Sequence, residues 1–85
     1  MAEDKNAVKV VVEIFGEKYP LRTDGDAEYL KLLAKTVDDH MKSVARRTMS
    51  FSGSKIGVMA AMEIADEYYK LKKDYDELMA LLDEK

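Results

Sequence analysis

Few side chains in this sequence have types and spacings that could do chemistry. The run Asp38-Asp39-His40 sets the chain's one imidazole beside two carboxylates, a grouping that in a suitable geometry could hold a metal ion or relay a proton. Three consecutive helical residues point in three directions, however, and neither Thr36 nor Val44, four residues either side of His40, supplies a second strong ligand. A solvated helix face is the expected setting for this run. There is no cysteine, no glycine-rich phosphate loop and no nucleophile elbow. No catalytic site assembles from what remains, and neither a cofactor nor a metal is expected.

The charged groupings are better suited to contacts than to catalysis. Lys42, Arg46 and Arg47 form a compact basic cluster on an otherwise acidic protein. Two readings stay open for it: an external contact, or cations complementing the negative end of a helix. Glu63, Asp66 and Glu67 form an acidic patch whose ordinary use is solubility, with an i, i+4 pair from Asp66 to Lys70.

The elements that position these groups follow from periodicity. Val8, Val10, Val12 and Ile14 alternate with Lys9, Val11, Glu13 and Phe15, the period of a strand. Gly16-Glu17 offers a two-residue turn, and Lys18 to Arg22 a second short strand, which Pro20 keeps at an edge or with that amide position facing solvent. A hairpin over 8–22 results. Asp24 or Asp26 can cap a helix over about 26–47, whose stripe Leu30, Ala34, Val37, Met41 and Val44 buries one face, with Leu33 and Ala45 widening it. The segment Ser50-Phe51-Ser52-Gly53-Ser54 then breaks the chain.

From Ser54 or Lys55 onward there is no proline, so about thirty residues can form one helix roughly 45 Å long. Gly57, Ala61, Ile64, Tyr68, Leu71, Tyr75, Leu78 and Leu82 recur at alternating spacings of four and three, a heptad seam that seeks partner helices. In that register Glu67 and Lys72 take g and e positions, able to pair between parallel helices. A second stripe, Val58, Met62, Ala65 and Tyr69, makes the opening turns apolar on two sides, so they are expected to serve both the head and another chain. Met79 and Leu81 broaden the seam further on, an arc wide enough for more than two helices. The expected organisation is α+β: a head over 1–53 with a hairpin and one helix, and a long helix over 54–85 forming an intermolecular coiled coil.

Composition agrees. Eighty-five residues close one small core, and without disulfides or metal ligands oligomerisation is the remaining route to stability. A formal net charge of -3 gives no overall basic field for nucleic acid or an anionic membrane. The polar stretch from Met1 to Ala7 lacks the apolar core of a signal peptide, and the longest apolar run, 58–62, is too short to span a bilayer. A cytoplasmic protein without membrane insertion is expected.

Three stretches together resemble a known family. They are the strand and turn from Val10 to Leu21; Tyr29-Leu30 with Ala34, Val37-Asp38 and Met41; and Lys55 to Glu67, which contains Ala60-Ala61-Met62-Glu63-Ile64-Ala65-Asp66-Glu67. Their order is similar to that of ZapA, the bacterial division-ring associated family, over nearly the whole chain. Glu63 stands where the family pattern has Asn, and the inter-helix segment lacks the family's proline. The resemblance implies a small head, a homodimer through heads and helices, and a tetramer of two dimers joined by their coiled coils, with dimer or tetramer left open. It also implies cross-linking of filaments of the tubulin-like protein FtsZ at midcell, with Lys42, Arg46 and Arg47 as the candidate FtsZ contact. The alternative is a generic coiled-coil adaptor for another cytoplasmic protein.

Overall fold

The computed structural model describes residues 7–49 and 52–83; Met1 to Asn6 of the polar N-terminus and Ser50 and Phe51 of the expected break lie outside the described residues. Two strands, β1 (Val8–Ile14) and β2 (Glu17–Thr23), are followed by two helices, α1 (Ala27–Thr48) and α2 (Gly53–Asp83). The strands pair antiparallel, with Ile14 opposite Glu17 and Val8 opposite Thr23. The turn therefore consists of Phe15 and Gly16, one residue earlier than the Gly16-Glu17 turn expected from sequence. Both adopt positive φ, 51° and 82°, as a tight twisted hairpin of the I′ class requires. For Gly16 that conformation is free of steric cost; for Phe15 it carries strain.

A long-range bond compensates. The Phe15 N–H donates to the Asp38 carboxylate at 2.6 Å, across 23 residues of chain. With the turn held on α1, Phe15 leaves the strand alternation and packs against Val44, Ile56 and Ala60, where α1 meets α2. A second cluster joins hairpin and helix directly: Val10 and Val12 of β1 bury against Ala34, flanked by Ile14, Ala27 and Leu30. The inward face of β1 is thus the one carrying Val10, Val12 and Ile14, although Val8 at its open end stays half exposed.

Local signals set the helix ends. The Asp26 carboxylate accepts from Glu28 N–H at 2.9 Å and caps α1. At its other end Met49 turns left-handed, φ 57°, and donates to the Ala45 carbonyl. The Ser52 hydroxyl accepts from Lys55 N–H and caps α2. α2 runs 31 residues, about 47 Å at 1.5 Å per residue. The radius of gyration is 17.4 Å, against about 12 Å for a compact domain of this length.

That elongation leaves little to bury. Six apolar residues among those described are buried, and two of them are alanines. Val44 and Ile56 are the largest fully enclosed side chains. They form the only large apolar plug between the helices among the described residues, so Ile56→Ala should cost about 2–4 kcal/mol through lost burial and an unfilled cavity. Denaturant titration followed by circular dichroism measures this; a loss below about 1 kcal/mol would place the α1–α2 joint elsewhere.

Candidate functional site

Two surfaces carry the functional candidates: the faces of α2, and the charged residues where α1 meets it. On α2, the residues that reach α1 are Ile56 and Ala60, both buried, then Glu63 and Glu67. Their spacing is again four, three, four, one residue out of phase with the heptad seam. Sequence reading passed over this stripe because its second half is acidic, and apolar periodicity alone cannot see a helix contact completed by ion pairs. The stripe of Val58, Met62, Ala65 and Tyr69 lies roughly 200° round the helix from it and is exposed throughout.

The seam residues remain uncovered in the single chain. Ala61 is exposed and Ile64 half-buried, and every residue from 65 to 83 is exposed. Tyr68, Leu71, Tyr75, Leu78 and Leu82 thus form one continuous apolar line, with Leu71 69% exposed, and Met79 and Leu81 broaden it. A soluble monomer seldom leaves so much contiguous apolar surface to water. At the head end the line opens into an apolar groove lined by Ile14, Tyr19, Leu21, Val37, Met41, Gly57 and Val58. Lys72 pairs with Asp76 at 3.1 Å and Lys70 with Asp66 at 3.0 Å, both within α2.

The basic cluster separates into three situations. Lys42 pairs with Asp38 at 2.8 Å, Arg47 turns toward α2 and pairs with Glu63, and Arg46 has no ion-pair partner among the described residues. Lys42 and Arg46 share one face of α1, whereas Arg47 lies about 100° away from Arg46. Asp38 is consequently neither solvated nor free. Hydrogen bonds from Lys42 and from the Phe15 amide hold its carboxyl below the usual range, and Asp38 in turn holds the Lys42 ammonium above its own.

His40 also departs from expectation. Its side chain is only 19% exposed, with Nδ1 3.2 Å from Glu63 and Nε2 3.5 Å from Glu67. It lies between the helices rather than on a solvated face, because Glu63 and Glu67 approach from a segment more than twenty residues away. Hydrogen bonds from His40 and then Arg47 lower the Glu63 pKa. The two ring nitrogens address different carboxylates, so no common point for an ion is enclosed, and no grouping of metal-ligand type occurs among the described residues. Among the described residues no helix is long and apolar enough to cross a membrane.

This arrangement, a hairpin, a short head and a long helix with an uncovered seam, has known counterparts. The family model "Cell division protein ZapA" matches residues 10–85. This chain belongs to the ZapA family. Cell division protein ZapA from Geobacillus sp. (strain WCH70) is 33% identical over 82 residues, covering 96% of this chain and 93% of that protein. The ZapA of Bacillus mycoides (strain KBAB4) is 28% identical, covering 100% and 97%. A solved structure, the ZapA mutant dimer from Geobacillus stearothermophilus, superposes with a TM-score of 0.71 at 28% identity, covering 99% of this chain and 98% of that one. The hairpin-plus-two-helix α+β fold is the fold of ZapA, and the family is one of non-enzymatic cell division proteins.

The lowered carboxyls fix the direction of the acid response. Asp38 and Glu63 bind protons more weakly in the folded chain than unfolded, so their contribution is complete above the ordinary carboxylate range near pH 4 and is lost as pH falls through their lowered folded values. Melting temperature should therefore drop as pH is taken from about 5 to 3, and Glu63→Gln should flatten part of that drop. Identical acid profiles for Glu63→Gln and wild type would remove Glu63 from the α1–α2 joint.

Proposed function

We propose that this protein forms a homodimer whose paired helices hold two heads apart, and that it cross-links FtsZ filaments into bundles at the midcell division site. The observation that carries this reading is the second half of α2 on a chain of the ZapA family: an apolar line from Tyr68 to Leu82 that its own chain leaves exposed. Burying Leu71, Leu78 and Leu82 at about 1.5–3 kcal/mol each is gained only when another helix arrives. The dimeric form of the Geobacillus stearothermophilus relative supports a second copy as that partner.

We assign the seam residues Ala61, Ile64, Tyr68, Leu71, Tyr75, Leu78 and Leu82 to oligomerisation. The groove at Tyr19, Leu21 and Val58 continues the seam onto the head, giving the partner one surface rather than two. The wider arc at Met79 and Leu81 favours two dimers meeting through their distal turns. Heads joined in this way would turn weak single contacts into avidity, because the second head binds at the high local concentration set by the first.

For the filament contact we take the end of α1 carrying Lys42, Arg46 and Arg47. Arg46 is its most available cation, since Lys42 is engaged with Asp38 and Arg47 with Glu63. Turnover plays no part.

Leu78→Glu should lower the assembly mass measured by light scattering, because it puts a charge into the seam, while the head stays folded; an unchanged mass would reject the seam as the interface. Arg46→Glu should weaken co-sedimentation and bundling of FtsZ at low salt without altering assembly mass. Substituting Arg46 alone avoids disturbing Glu63, which the loss of Arg47 would do. Wild-type bundling by Arg46→Glu would exclude Arg46 from the contact, and wild-type protein that neither co-pellets with FtsZ nor bundles it would favour a coiled-coil adaptor with another partner.

A further inference from the structure

We propose that His40 is a proton-operated latch between the head and α2: the protonated ring draws Glu63 and Glu67 onto α1, and loss of the proton frees Glu67 and loosens the seating of α2. The latch does not depend on filament binding.

The case is one of donors and acceptors. Both ring nitrogens face carboxylate oxygens, Nδ1 that of Glu63 at 3.2 Å and Nε2 that of Glu67 at 3.5 Å. Ionised carboxylates only accept, and a neutral imidazole has one N–H to donate. Only the imidazolium carries a proton on both nitrogens. Nδ1 is within hydrogen-bond reach of Glu63, whose other oxygen also receives Arg47. Glu67 meets Nε2 as an ion pair without a hydrogen bond, and a neutral ring has no charge to hold it there.

Among the described residues, the recess around the ring is lined by one further charged group. Asp39 and Ser43 border the same recess from α1, and Asp39 is paired with Lys35 at 3.0 Å. The hairpin packs on the side of α1 that carries Ala34 and Asp38, and none of its residues lines the recess. Position gives the latch its reach. The His40–Glu67 contact is the farthest point along α2 at which an ion pair joins it to α1 among the described residues. The sixteen residues from there to Asp83 extend about 24 Å, so any change in seating at Glu67 is carried outward to the assembly surface.

Histidine is the side chain that changes charge between about pH 5 and 8, and this chain has one, so the event can be followed by NMR on the intact protein. In wild type the His40 ring resonances and the methyl resonances of Val44 and Ile56, which pack between the helices, should move with a single midpoint. Glu67→Gln, which removes the carboxylate facing Nε2, should shrink the movement of the two methyls over the same range. His40→Gln should leave the two methyls unmoved over the same range. Val44 and Ile56 methyls that stay fixed in wild type between about pH 5 and 8 overturn the proposal, and so do methyls that move in Glu67→Gln as far as they do in wild type.

Discussion

The head depends on one bond, from the Phe15 amide to the Asp38 carboxylate. A two-stranded hairpin is marginal in water by itself, and this one turns through a non-glycine residue in a left-handed conformation. Asp38 receives the amide of that strained residue, and Lys42 in turn screens the carboxylate. Fixing the turn sends Phe15 into the cluster of Val44, Ile56 and Ala60. Sheet, first helix and second helix thereby meet through one aromatic side chain, and the two small apolar clusters are tied into one unit.

What was legible in the sequence was whatever repeats locally. Period two in Val8 to Ile14 and the four-three spacing of Leu30 to Val44 put hairpin and α1 where they lie, and the lack of proline after Ser52 marked a long helix. The turn was misplaced by one residue because Gly16 advertises positive φ and Phe15 does not. What permits Phe15 to join it is a carboxylate 23 residues away. The same blindness to distant partners hid the α1-facing stripe of α2, whose Glu63 and Glu67 look like a wet surface until His40 and Arg47 are set opposite them. The basic cluster reads as a unit for the opposite reason: neighbours along the chain suggest a shared direction, and the helix separates Arg47 from Lys42 and Arg46.

α2 therefore does two jobs with two different chemistries. Its first turns are held to the head by a small apolar plug and a set of ion pairs, and its distal turns carry an uncovered apolar line flanked by charged residues. A charged joint tolerates water and adjusts with it, whereas an apolar seam is indifferent to pH and rewards only burial. Separating them along one helix would let the angle of the head vary while the residues offered to a partner helix stay the same.

The bare distal half of α2 has a consequence in mass action. A chain that covers this surface by association would draw part of its folding free energy from that step, and that part would scale with the logarithm of its own concentration. Dilution would then act as a denaturant. A division protein built in this way would be firm where many copies gather and loose where they are scattered, so local abundance would set its rigidity without any dedicated regulator.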